Sequence, residues 1–291
     1  KSTGKGADPP EPIGEGTEER KPTGKGADPP EPNGARKEQS KQSAKMISFK
    51  DGMKILPEAI SEHLGGRVKL NAEVISIKKT ADGNYGVTYK EGEQSLTILI
   101  DIILSTIPAY TAGELFGHFD DGLKKHLTNV YYPPVLVLYI AYNKDDIGQP
   151  LDGFGFLVPS KEEKSFLGAI WSSVIFPNRA EDSSASFTLF VGGSRNPGFI
   201  YDDEEELIKT VGQEFEELMK IKGELVHVAK RFWDKAIPQY TIGYVEHENY
   251  FDHFEKDCRG IFLSGNYRGG ISVGDCIKNA ELVLNIINGL Q

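Results

Sequence analysis

The 291-residue chain is expected to mix α/β and α+β architecture behind a disordered N-terminal tail, on three observations. Residues 260–289 run as a short apolar strand, a glycine-rich turn and a helix with one apolar face. Residues 133–192 carry four apolar runs separated by short polar turns, the pattern of antiparallel strands. Residues 1–45 hold almost no apolar side chains, and the Pro- and Gly-rich unit beginning at Lys1 is nearly repeated from Lys21. Such a tract cannot bury enough surface to offset its ordering entropy. A flexible linker with polyproline character at Pro9-Pro10 and Pro29-Pro30 is the expectation, and a partner-recognition peptide is the alternative.

Composition removes several function classes. A net charge of −10 and a pI near 5.2 lack the cationic footprint that nucleic acid requires, so no nucleic-acid partner is expected. Cys258 and Cys276 offer neither a disulfide framework nor metal-ligand spacing, and His63, His118, His126, His227, His247 and His253 show no metal spacing either. A reducing compartment follows, and no metal is expected. No apolar run is long enough to cross a membrane as a helix, and the first residues have neither signal nor transit-peptide character. The chain does not begin with Met, which suggests a processed protein or a fragment.

From residue 46 the chain reads as ordered structure. Met53, Leu56, Ala59, Ile60 and Leu64 share one face of a helix with Pro57 in its first turn and Gly65 at its end. Strands are expected over 68–77 and 85–89, joined by Asp82-Gly83-Asn84, then a buried strand over 96–106. Further strands are expected over 133–142, 154–158, 166–174 and 186–192. Residues 202–222 form an amphipathic helix whose acidic start suits the helix dipole and is no metal site. In the last segment Ile261, Phe262 and Leu263 make a buried strand of a largely parallel sheet, and Gly265, Gly269, Gly270 and Gly274 follow. Ile277, Ala280, Leu282, Val283, Leu284, Ile286 and Ile287 then give a helix its apolar face. On pattern alone, an ordinary strand-to-helix turn and a cofactor contact through backbone amides both fit.

The residues of that turn, Ser264-Gly-Asn-Tyr-Arg-Gly-Gly-Ile-Ser-Val-Gly-Asp-Cys-Ile277, resemble the C-terminal flavin-contacting segment of oxygen-dependent protoporphyrinogen oxidases (the HemY type), FAD enzymes of the flavin amine oxidase superfamily. The resemblance extends through 151–159, 173–180, 190–195 and 236–244 and covers residues 46–291, about the C-terminal half of such an enzyme. It implies a partial FAD-binding fold of the two-dinucleotide-binding-domain type over 46–109 and 237–291. It also implies an antiparallel-sheet substrate-binding domain over 110–236, with 1–45 as linker. Ile271, Ser272 and Val273 take the place of the residues that line FAD, and Val74 that of the valine beside its adenine, although spacing alone favours a plain strand-core valine at 74. Val245 stands where some relatives place an aromatic near the flavin, an aromatic that is absent here. Leu157, Ile170 and Phe190 correspond to the apolar residues that hold the tetrapyrrole, although core packing is the other reading of each. Arg195 and Arg268 are candidates to pair with propionates, ordinary structural ion pairs being the alternative.

The implied reaction oxidises protoporphyrinogen IX to protoporphyrin IX, three two-electron steps passing to FAD and then to O₂, with no catalytic side chain identified. The Gly-x-Gly-x-x-Gly turn that binds the FAD pyrophosphate is not found, so a partner half carrying it is expected, and this chain alone is expected to be inactive. A homodimer, peripheral membrane contact and a cytoplasmic location, at the inner face of the plasma membrane, are further expectations of the resemblance. Coproporphyrinogen oxidation, another flavin oxidase of the superfamily and an inactive porphyrin-binding fragment remain alternatives. Gly265-Asn266 stands where amine oxidases usually carry Gly-Glu, which disfavours that branch.

Overall fold

The computed structural model describes residues 48–201 and 203–289, so the expected linker over 1–45 lies outside the described residues. In chain order the elements are α1 (Ile55–Leu64), β1 (Ala72–Lys79), β2 (Tyr85–Glu91), β3 (Gln94–Ile100), β4 (Ile103–Ser105), α2 (Ala109–Phe116) and α3 (Asp121–Thr128). They continue as β5 (Val135–Asn143), β6 (Gly155–Leu157), β7 (Gly168–Ile170), α4 (Ser172–Ile175), β8 (Ser184–Gly192) and α5 (Glu204–Met219). The last are β9 (His227–Trp233), α6 (Val245–Asp257), β10 (Ile261–Leu263) and α7 (Val273–Asn288).

Three sheets result. β1, β2 and β3 form an antiparallel meander, while β10 pairs in parallel with β4. The run expected as one strand over 96–106 is therefore two strands: the chain leaves the meander at Asp101 and Ile102 and joins a different sheet. The third sheet is antiparallel in the order β6-β7-β8-β5-β9. β7 is shorter than the run expected over 166–174, because α4 begins at Ser172.

Two apolar cores divide the described residues. The first joins Ile77, Tyr85 and Val87 of the meander to α2, α3, α6 and β10, with Phe116, Leu123, Leu127, Phe251 and Tyr267 at its centre. α2 and α3, grouped with the substrate-binding region by sequence, pack here, so the change of core comes at about Pro133 and not at 109/110. The second core fills the space between the five-stranded sheet and α5. Phe215 of α5 meets Phe156, Phe166, Phe187 and Tyr142 at ring-centroid separations of 4.9–6.5 Å. Fully burying one such ring contributes about 1.5–3 kcal/mol. α5 starts one or two residues inside its expected range because Asp203 accepts from the Glu206 amide and caps it.

The terminal helices are the exception to this packing. The apolar faces expected on α1 and α7 exist, yet neither helix has a buried residue. No described helix is long and apolar enough to cross a membrane.

Candidate functional site

The five-stranded sheet separates its side chains by strand alternation, and β5 shows it plainly. Leu136, Leu138 and Ile140 are buried against α5, whereas Val135, Val137 and Tyr139 are half-open on the other face. Cross-strand pairs point to the same face of a sheet. Leu157 pairs with Gly168, Gly168 with Phe190 and Phe190 with Val137; one row later Ile170 pairs with Thr188 and Thr188 with Tyr139. Leu157, Ile170 and Phe190 therefore share the face turned away from α5, and none belongs to the second core. Leu157 is 86% exposed, an unusual position for a leucine that serves packing alone. The segment from Trp171 to Arg179 covers the far end of this face: Ser172 Oγ bonds Thr188 Oγ1 at 2.7 Å and Tyr139 donates to the Arg179 carbonyl at 2.6 Å. What remains is an apolar patch with Phe190 and Val137 half-buried and Leu157 exposed at its side. On the opposite, helix side an apolar cavity of about 200 Å³ touches Leu138, Ile140, Val211 and Val228, smaller than the 300–1,000 Å³ usual for ligand pockets.

The C-terminal segment is held by its neighbours in detail. Ser264 donates its amide to the Ser105 carbonyl at 2.8 Å, continuing the parallel pairing to the carboxyl ends of β4 and β10, where open α/β sheets place their ligands. The Ser105 hydroxyl there is buried without a partner among the described residues. Gly269 and Gly270 have φ of 69° and 124°. Their amides donate to Glu248 at 3.1 Å and to the Tyr240 hydroxyl at 2.9 Å, so these two groups face protein and are not presented to a ligand. Added Cβ atoms would lie 2.6 Å from Asn279 and from Asp275, so the two glycines serve close packing as well as backbone shape. Ser272 caps α7, its Oγ accepting from the Asp275 amide at 3.1 Å while the Asp275 carboxylate accepts from Ser272. Beside this capped start, Ile271 and Val273 are 42% and 52% exposed.

Each expected site residue can now be located. Ile271, Ser272 and Val273 form one exposed edge at the N-terminus of α7. Val245 opens α6 and lines a cleft of about 380 Å³ with Gly269, Leu282 and Ile286, which brings it to the glycine turn. Val74 lies in the meander, opposite Tyr89 and just before a bulge, on a strand packed on β2 and α2. For the two arginines the geometry favours the structural reading. Arg195 donates to the Val158 carbonyl at 2.6 Å. Arg268 is paired with Asp252 and Glu255 of α6 and donates to the Leu263 carbonyl at 2.8 Å. Both brace the backbone. Burial raises the Glu255 carboxyl above its ordinary range even with Arg268 beside it. Among the described residues no cluster of His, Cys, Asp and Glu could hold a metal ion.

Sequence reasoning missed β9, which extends the open face by one strand. Its signal was present in Val226-His-Val-Ala-Lys-Arg-Phe-Trp233, a run of β-branched and aromatic residues.

The chain is similar to flavoproteins along nearly all of this structure. The sequence pattern of the flavin-containing amine oxidoreductases matches residues 33–283. The chloroplastic protoporphyrinogen oxidase of Nicotiana tabacum is 32% identical over 253 residues, covering 83% of this chain and 46% of that protein. Chloroplastic protoporphyrinogen oxidase 1 of Arabidopsis thaliana is also 32% identical, over 256 residues, with 83% and 47% covered. The chain thus spans about half the length of the curated relatives it matches. A solved structure from Exiguobacterium sp. 255-15, described as a candidate protoporphyrinogen oxidase, superposes with a TM-score of 0.70 at 21% identity, over 84% of this chain and 52% of that one. A putrescine oxidase variant superposes at 0.61 with 13% identity, over 82% and 53%. At those identities the two structures speak for the fold alone.

Proposed function

Because the chain belongs to the family of flavin-containing amine oxidoreductases, we propose that it is the C-terminal region of an FAD-dependent oxidase acting on protoporphyrinogen IX in tetrapyrrole synthesis. The observation that carries this reading is the convergence of Leu157, Ile170 and Phe190 on one open sheet face. A porphyrinogen is a wide, mostly apolar macrocycle, and packing against a flat apolar wall is the means by which a protein holds such a ligand.

The residues fit one side of the cofactor. Ile271 and Val273 offer exposed apolar edges to a flat ring, and the capping box fixes the backbone between them. The unpartnered Ser105 hydroxyl sits where parallel strands end towards a ligand. The pyrophosphate cradle has no counterpart among the described residues, so this chain on its own is proposed to retain FAD poorly and to turn over no substrate. When bound, the flavin accepts electron pairs from the substrate and passes them to O₂, giving H₂O₂. The chain's own part is to seat the macrocycle on the β6-β7-β8-β5 wall, to exclude water from its covered face and to hold the glycine turn rigid through Glu248, Tyr240 and Asp275. A cytoplasmic enzyme, homodimeric and peripheral at the inner face of the plasma membrane, is the setting we propose with it; sedimentation and vesicle flotation of the assembled protein test that.

The test of function is assembly of this chain with the dinucleotide-binding half of a plant relative, followed by assay with protoporphyrinogen IX and with putrescine. Flavin-dependent porphyrin fluorescence with O₂ uptake, and no amine turnover, is the expected result. Amine oxidation without porphyrin formation overturns the reading.

A further inference from the structure

We infer that Arg231 is the group on this chain that recognises a peripheral carboxylate of the bound tetrapyrrole, an inference that rests on the substrate reading above. The row Leu157–Gly168–Phe190–Val137 continues across one more strand, because Val137 also pairs with Arg231 of β9. Arg231 thus projects from the same face as the apolar patch. At about 4.8 Å per strand it stands two strand spacings, about 10 Å, from Phe190. A macrocycle lying over Phe190 and Val137 brings its rim to that guanidinium.

The electrostatic setting of Arg231 differs from that of the arginines already considered. Arg195 and Arg268 are held by the protein's own acceptors. Lys230, the neighbour of Arg231, points to the helix side of the sheet and pairs with Glu204. Arg231 has no carboxylate partner among the described residues; its guanidinium lies over the Trp233 ring at 4.8 Å. Val135 pairs with Trp233, so the indole is on the same face and forms a shelf that limits the freedom of the arginine. A guanidinium stacked in this way keeps its edge donors free for a planar carboxylate. An apolar wall bordered by a pre-placed cation that has no carboxylate partner among the described residues is complementary to a macrocycle whose rim carries acid groups.

The experiment compares binding of protoporphyrin IX and of its dimethyl ester to the full 291-residue chain by porphyrin fluorescence, for the unaltered protein and for Arg231→Gln, Arg231→Lys and Leu157→Ala. Arg231→Gln is expected to weaken the free acid about tenfold, the usual effect of removing a charge-assisted hydrogen bond, and to leave the ester unchanged. Arg231→Lys restores part of the loss, and Leu157→Ala weakens acid and ester alike. Equal binding of acid and ester by the unaltered chain, or equal loss of both in Arg231→Gln, overturns the role of Arg231 while the apolar site stands. Failure of the unaltered chain to bind either porphyrin overturns the site and the role together. Arg231 is exposed and outside both cores, so far-UV circular dichroism of the variants is expected to match the parent.

Discussion

Asp120 shows how much one side chain can organise between two helices. Its carboxylate accepts from the Leu123 amide as the N-cap of α3 and from the Tyr250 hydroxyl of α6 at 2.7 Å. Those bonds, the Leu123 amide first, hold its pKa below the ordinary 3.8. A carboxyl with a depressed folded pKa contributes stability that is present above the unfolded value and lost as pH falls through the folded one. Asp120→Ala is expected to lower stability by about 1–2 kcal/mol, and Asp120→Asn by less because the cap survives, as read by urea unfolding at pH 7. The neighbouring His126 and His247 meet Nδ1 to Nδ1 at 3.0 Å between the same two helices. Burial, then the charge of His126, pushes the His247 pKa below 6.5. Its contribution is therefore complete above 6.5 and declines as the solution is acidified through the lower folded value. The urea midpoint should fall over that window in the parent, while His247→Gln should flatten the dependence. Neither cluster was legible in the sequence, because its members lie more than 100 residues apart on α3 and α6. Arg268 was hidden for another reason: Asp252 and Glu255 lie only 16 and 13 residues before it, but they meet it only because the chain folds back from β10 onto α6.

Elements were legible where their periodicity was strong and local. Apolar runs bounded by polar turns found β5 and β8, and the 3.6-residue pattern with an acidic start found α5. β4 was read as part of β3 because its true partner, β10, lies far along the chain and pairs through only three residues. α2 and α3 went unread because each is only eight residues long and takes its stability from packing in the first core. The glycine turn before α7 was recognised; its glycines shape the turn at positive φ and, beyond what was expected, let Asn279 and Asp275 approach the backbone. Gly270→Ala must therefore strain a residue at φ 124° and displace the Asp275 carboxylate from Ser272. A cost of about 1–3 kcal/mol is expected, together with faster hydrogen exchange at the Asp275 amide as the capping box opens. Unchanged exchange there would show that the turn does not depend on the box.

At the scale of the whole molecule, the exposed surface carries the argument. Ile277 and Leu284, seven residues apart on one side of α7, are 59% and 56% exposed, and Leu99 of the meander is 70% exposed. The two-stranded parallel pair of β4 and β10 has no further strand on either side among the described residues. Parallel sheets are almost always covered on both faces and wider than two strands, and a protein seldom leaves this much aliphatic surface in water without a partner for it. The dinucleotide-binding half proposed above would meet both facts by adding strands to β4 or β10 and covering α7. Changing Ile277 and Leu284 together to Ser should alter the stability of this chain by no more than about 0.5 kcal/mol per site, since neither is buried here. The same double change should weaken assembly with the dinucleotide-binding half by about 3 kcal/mol, more than a hundredfold, because each side chain loses its burial at the interface. Titration of the labelled half against parent and variant chains measures this directly, and equal affinities would place the docking surface elsewhere than on α7.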